Sequence, residues 1–343
     1  MDRRGRAGRV RARAAAGGQS AVGDGERGDH APRLRCLSQL LRPRDTVVLR
    51  EPPPLSGGRA APEPRGSGAR VLSRGADGGG GRSEEERALK RYSADRIRTV
   101  AVVGHGGTGK TTLVEAMLFQ AGAIDRMGRV EDGTTTTDFD PEEIRRKHTI
   151  YAAIAPLEWA DSKLNLLDAP GYPDFIGEVV GALRVADAAL VVVDASAGVQ
   201  VQTEVCWALA ERQGLPRLVV VNRLDRENAS FARALEALRA RFGTRVVPVQ
   251  LPVGAETGVR GVVDLATMTA HVVVDGQERV EEVPAELREA AAAARETLVE
   301  AAAESEDALV ERYLEAGTLT DEELARGLLA GVQTGRIVPV LAA

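Results

Sequence analysis

Cysteine is scarce: Cys36 and Cys206 are the only two in 343 residues. They lie in regions of quite different character and suggest neither a disulfide framework nor a cysteine-based metal site. Long apolar runs are missing as well. The strand-like Ala188-Ala189-Leu190-Val191-Val192-Val193 falls far short of the ~20 residues a membrane-spanning helix needs. A strong net charge is also absent, but the formal −5 sums two unlike parts. Residues 1–96 hold 21 Lys+Arg against 12 Asp+Glu, which leaves 24 against 38 for the rest. An acidic body argues against a nucleic-acid groove formed by this segment alone, so nucleic acid is expected only as an indirect partner. The length leaves room for two or so domains at ~150 residues each. A soluble monomer of a reducing, cytoplasmic compartment, with no membrane partner, is the expectation.

Residues 1–96 do not read as a folded domain. Arg, Gly, Ala and Pro dominate, with Gly78-Gly79-Gly80-Gly81 and Pro52-Pro53-Pro54 as extremes. Apolar patches such as Leu37 to Leu41 are too brief to offset the entropy of ordering, which predicts a disordered tail. An Arg-rich arm for nucleic acid, an organelle transit peptide over Met1 to Val22 and a flexible tether are three readings of it. A fourth, favoured here, is that these residues are not normally translated. Leu89-Lys90-Arg91-Tyr92-Ser93 looks like a natural beginning, with residue 89 encoded by an alternative start codon.

What is present is concentrated after residue 97. Gly104-His105-Gly106-Gly107-Thr108-Gly109-Lys110-Thr111 fits G-x-x-x-x-G-K-[ST], the loop whose backbone N–H groups cradle phosphates. Arg98 to Val103 reads as a buried strand before it. Thr112 to Ala121, with Leu113, Ala116, Met117 and Ala121 apolar, reads as a helix after it. That order lets glycine-freed N–H groups and a helix N-terminus converge on a polyphosphate. Lys110 is expected at the β- and γ-phosphates, the Thr111 hydroxyl on Mg²⁺, and Thr112 among the phosphate contacts.

Gly122 to about Lys147 reads as a long loop, of the kind that is usually functional. It leads to Thr149, a candidate second Mg²⁺ ligand that orders the loop when triphosphate is bound. Leu164 to Leu167 reads as a second buried strand ending in Asp168-Ala169-Pro170-Gly171. Asp168 is placed for outer-shell support of Mg²⁺, and Gly171 leaves its N–H open to a γ-phosphate. Tyr172 to Val185 is expected to open and form a helix. A third strand, Ala188 to Val193, ends at Asp194; a helix over about Gln200 to Gln213 carries Cys206 and Trp207 as packing residues. A fourth strand, Arg217 to Val221, delivers Asn222-Arg223-Leu224-Asp225. A carboxylate at Asp225 accepts two hydrogen bonds from guanine, which adenine cannot supply. Asn222 ties the base loop together, and Arg223 lays its guanidinium along the purine.

With three motifs in this order, residues 90–343 resemble the GTP-binding domain of translation factor GTPases, most closely elongation factor G and its paralogues. The resemblance extends to Asp225 to Phe231, to Val249 to Gly254 and to Gly261-Val262-Val263-Asp264-Leu265. It implies a P-loop α/β fold, a mostly parallel sheet flanked by helices over 97–343, with an inserted α/β subdomain at about 255–335. Helical segments at Pro284 to Ser305, Glu306 to Tyr313 and Thr320 to Leu329, and a final strand at Arg336 to Leu341, complete it. It implies GTP hydrolysis to GDP and phosphate, Mg²⁺, and the ribosome as partner.

The chain departs from the family at four places. Tyr172 stands where the family has the histidine that orients the attacking water, and a phenol cannot reproduce an imidazolium. Gly106 and His148 replace the apolar pair that flanks that histidine, so that Lys110, Tyr172 and His148 are the catalytic candidates. Gly107 stands where the family has an Asp. The sequence also ends at the final strand, without the family's Ser-Ala loop and later domains, and looks like an amino-terminal fragment. A GTP-dependent switch with negligible turnover, or an inactive fragment, are the alternatives.

Overall fold

The computed structural model describes residues 91–275 and 277–343; Cys36 and the expectations for the tail lie outside them. After a short 3-10 turn at Ala94–Arg96 comes β1 (Ile97–Gly104), whose residues from Val100 on are all buried. Alternate side chains of β1 enter two different cores: Val100 and Val102 join one, Ala101 and Val103 the other. A strand buried on both faces needs an unbroken apolar run rather than alternation, and this is what the sequence supplies.

The remaining elements follow as α1 (Lys110–Gln120), α2 (Pro141–Arg146), β2 (Ala153–Trp159), β3 (Ser162–Asp168), α3 (Ile176–Val185), β4 (Ala188–Asp194), α4 (Val201–Arg212), β5 (Arg217–Asn222) and α5 (Phe231–Phe242). Next are β6 (Val246–Pro248), β7 (Gln250–Val253), β8 (Gly261–Asp264), β9 (Thr269–Val274), β10 (Gln277–Glu282), α6 (Arg288–Ala303), α7 (Asp307–Ala316), α8 (Asp321–Gln333) and β11 (Val338–Ala342). Seven strands form one sheet in the order β2-β3-β1-β4-β5-β11-β6. Every pairing in it is parallel except β2 with β3. The fold is that of a P-loop α/β protein.

Between β6 and β11 the chain makes a second sheet, antiparallel, in the order β10-β9-β8-β7. Its buried Val263, Leu265, Ala270 and Val272 share a core with Leu298, Val299 and Ala302 of α6 and Leu324 and Leu328 of α8. The second sheet therefore starts at Gln250, a few residues before the boundary expected for the insert.

Two expectations are corrected, and two elements were not expected. The segment Gly122 to Lys147 is not all loop: Pro141–Arg146 is a helix. Asp140 accepts from Glu142 N, Glu143 returns to the Asp140 N–H, and Pro141 pre-sets the first turn. The helix expected from Tyr172 begins as a 3-10 turn, Pro173–Phe175, and becomes α-helical only at Ile176. Finally, β2 and α5 were not expected. β2 alternates buried and exposed residues and carries Pro156, which only an edge strand tolerates.

The parallel strands place their carboxyl ends along one edge of the sheet, and with them Gly104, Asp168, Asp194 and Asn222. Neighbouring strands β3 and β4 flank β1 on opposite sides, so the loop after β1 sits in the crevice where ligands bind in open α/β sheets.

Candidate functional site

The glycine loop joins β1 to α1, and Gly109 caps the helix at φ 86°. A Cβ there would stand 2.6 Å from the side-chain nitrogen of Asn222, so glycine is required on two counts. Thr108 Oγ1 donates to His105 O at 3.0 Å, closing the loop on itself. Lys110 is 6% exposed, and its Nζ donates to the carbonyls of Gly104 at 3.2 Å and His105 at 2.9 Å. Burial pulls the Lys110 ammonium below its usual range, opposed first by Asp168. Burial and then Lys110 lower His105 in turn.

Two hydroxyls, those of Thr111 and Thr137, act on the carboxylate at the end of β3. Thr111 Oγ1 and Thr149 Oγ1 are 3.0 Å apart, bringing α1 and the long loop together. Thr137 Oγ1 donates to Asp168 Oδ2 at 2.8 Å. Asp168 is fully buried, and burial raises its carboxyl to about 6 against the pull of Thr111, Thr137 and Lys110. Its Oδ1 has no hydrogen-bond partner. Asp138, also buried, is raised by that burial against the pull of the Thr149 hydroxyl. An orphaned buried carboxylate oxygen on Asp168, with Asp138 and the hydroxyls of Thr111 and Thr149 beside it, suits a hard, oxygen-seeking cation such as Mg²⁺, which takes few protein ligands and completes its shell with phosphate and water. Among the described residues no cluster of three or more His, Cys, Asp or Glu forms a site made of protein alone.

Gly171 lies against Lys110: a Cβ there would collide with Nζ and approach Gly106 N to 2.6 Å. Ala169 N donates to Val102 O at 3.2 Å, holding the Asp168-Ala169-Pro170-Gly171 turn on β1. The Tyr172 side chain, 42% exposed, covers Gly106, whose hypothetical Cβ would lie 3.0 Å from Tyr172 Cζ. The His148 ring packs 4.9 Å away, tilted by 57°, with Nδ1 3.1 Å from Arg146 O. Gly106, His148 and Tyr172 are thus neighbours.

At the end of β5, Asn222 Nδ2 donates to Thr108 O at 2.9 Å and reaches Gly109 O at 3.5 Å. Leu224 is buried, with its N–H directed at Ala343 O at 3.4 Å, while Asp225 is exposed. Arg223, at φ 64°, is held by Asp194: its NH1 pairs with Asp194 Oδ2 at 3.3 Å. Burial pushes the Asp194 carboxyl up, but Ser196, the Ala197 N–H and Arg223 outweigh it and hold it low.

The motif residues expected from the sequence come together along one edge of the sheet. Thr137 and Asp138, which meet Asp168 there, were missed: nothing separates them from other polar loop residues until β3 is placed beside them. Cys206 is buried, and Trp207 stacks on Phe242 with ring centroids 3.9 Å apart, both as packing residues. An open groove of about 570 Å³ lined by Met268, Val280, Val283 and Arg288 lies on the second sheet and includes none of the motif residues.

Residues 95–340 match the family described as the elongation factor Tu GTP binding domain. The chain belongs to that family. This GTP-binding domain is 43% identical to "Elongation factor G 2" of Streptomyces coelicolor over 247 residues, 71% of the chain and 36% of that protein. It is 40% identical to "Elongation factor G" of Granulibacter bethesdensis over 253 residues, 73% of the chain and 36% of that protein. A crystal structure from Thermus thermophilus superposes with a TM-score of 0.69 at 46% identity, covering 72% of the chain and 37% of that structure. The chain therefore spans a little over a third of the relatives it matches, and within that span it is an elongation-factor-G-like GTP-binding domain. Among the described residues, no helix is long and apolar enough to cross a membrane.

Proposed function

We propose that this domain binds GTP and, with Mg²⁺, hydrolyses it to GDP and phosphate in ribosome-linked translation elongation. The observation that carries the reading is the 3.0 Å approach of Thr149 to Thr111, which brings the long loop onto the glycine-loop helix beside Asp168. Residues 104–112 receive the phosphates. Mg²⁺, held by Thr111 and Thr149 with Asp168 and Asp138 behind them, would neutralise charge on the β- and γ-oxygens. Lys110 adds fixed positive charge in a site where burial makes it count for more. The turn Asp168 to Gly171 faces the γ-phosphate and reports its loss. Asp225 is exposed and open to guanine N1–H and N2, and Asn222 locks its loop to the phosphate loop. The insert over about 255–335 braces β11 and β6 from outside the site.

A second reading, a GTP-dependent switch with negligible turnover, is favoured by Tyr172. Its phenol lies on Gly106 and against His148 where the family has a histidine.

GTP against ATP binding with Mg²⁺, beside Asp225→Asn, tests the core of the reading. Tight GTP binding that shifts toward xanthine nucleotides in the variant is expected. Equal affinity for ATP would end it. Steady-state phosphate release with and without ribosomes separates hydrolysis from the switch: release stimulated by ribosomes selects the first, and none selects the second.

A further inference from the structure

The polar segment between α1 and β2 is only partly buried yet held in one place, and one of its anchors belongs to α1 itself. Glu115 is 1% exposed, one helical turn after Thr111. Its Oε1 accepts from Gly128 N at 2.9 Å and from Thr136 Oγ1 at 3.2 Å, and its Oε2 accepts from Thr136 N at 3.0 Å. A carboxylate offers only acceptors, so three donors from one loop satisfy it without a cation. The approach is close: a Cβ on Gly128 would lie 2.8 Å from Glu115 Oε1. The next residue after Thr136 is Thr137, whose hydroxyl bonds Asp168 at 2.8 Å, and Asp138 follows, buried. The same helix thus carries Thr111 in its first turn and, one turn on, grips the stretch that brings Thr137 and Asp138 to Asp168.

We propose that Glu115 is a positioning residue for the Mg²⁺–phosphate site. It fixes Gly128 and Thr136 so that Thr137 and Asp138 stand against Asp168, and acts only through them. The inference rests on the GTP·Mg²⁺ reading above and adds a residue that sets how well the cation is held. Guanine choice, made at Asn222 to Asp225, lies outside its reach.

The test is Glu115→Gln in the full chain. An amide keeps the shape but replaces one acceptor oxygen by a donor, which then faces an N–H or hydroxyl of the loop. Two quantities are read: amide hydrogen exchange at Gly128 and Thr136 without nucleotide, and the Mg²⁺ midpoint for binding a fluorescent GTP analogue. Exchange is expected to accelerate about tenfold, and the Mg²⁺ midpoint to rise about tenfold, with GTP-over-ATP preference unchanged. A folded variant whose Mg²⁺ midpoint does not move would overturn the proposal, even if exchange rose, because Glu115 would then be structural only. Should Glu115→Gln fail to fold, Thr136→Ala removes one of the three bonds and is expected to shift both readouts about threefold; no shift overturns the idea equally. If the wild-type chain binds no GTP, the function reading fails, while the exchange rates still report whether Glu115 holds the loop.

Discussion

Asn222, at the end of β5, donates its side-chain amide to the carbonyl of Thr108 at 2.9 Å, joining residues 114 apart in sequence. The bond locks the strand that carries the proposed guanine reader onto the loop proposed to receive phosphate. Asn222→Ala leaves a buried carbonyl unpaired and should cost about 1–3 kcal/mol of stability. Gly109→Ala attacks the same joint, since its Cβ would meet Asn222 Nδ2 at 2.6 Å. Both variants should lose at least about tenfold in GTP affinity, and the double variant should lose less than the sum. Additive losses, measured by thermal shift with and without GTP, would mean that the two sites are not coupled.

How much of this was readable from the sequence depends on the range of the forces involved. β1, β4 and β5 are buried apolar runs, β3 buries Leu164, Leu166 and Leu167, and the glycine loop has a fixed spacing, so local pattern sufficed. β2 and α5 were not expected. β2 pairs only with β3 and alternates around Pro156. α5 presents an Arg-rich outer face over a narrow apolar stripe of Phe231, Ala234 and Leu238. The roles of Thr137, Asp138 and Glu115 were invisible for a different reason. Each is an ordinary polar residue whose meaning comes from partners 13 to 31 positions away. Arg223 likewise has a partner, Asp194, 29 positions away that no local pattern announces.

Asp168 makes a pH prediction. Burial raises its carboxyl from 3.8 to about 6 in the fold. A raised acid contributes stability that is present below its unfolded value and lost as pH rises through its folded one. The nucleotide-free chain should therefore lose about 2 kcal/mol between pH 4.5 and 7.5 from this group alone. Denaturant titrations of Asp168→Asn should lack that loss, so that the variant is the more stable of the two at pH 7.5. Parallel pH curves for the two proteins would remove Asp168 as the cause.

Mg²⁺ should reverse the same penalty, because a cation beside Asp168 and Asp138 favours their charged forms. Adding Mg²⁺ with GTP at pH 7.5 is expected to raise the melting temperature of wild type by several degrees more than that of Asp168→Asn or Asp138→Asn, by mass action on the folded state. EDTA should abolish the difference. A gain of equal size in all three proteins would place the cation elsewhere.

Tyr172 and Gly106 form a matched pair, the phenol ring lying where any side chain on Gly106 would reach 3.0 Å from it. Because Tyr172 is 42% exposed, its ring can swing toward solvent, so Gly106→Val should change stability by less than about 1 kcal/mol. Its effect should fall on chemistry instead. Tyr172→His supplies an imidazole that can switch protonation near neutral pH, which a phenol cannot. With Gly106→Val to restore an apolar wall on that side, the double variant is expected to raise ribosome-stimulated phosphate release at least about tenfold over wild type, with GTP affinity unchanged. His148, 4.9 Å from Tyr172, provides the control: if it already orients water, His148→Ala lowers wild-type release and spares the double variant. Unchanged release in the double variant would show that position 172 does not limit turnover in this domain.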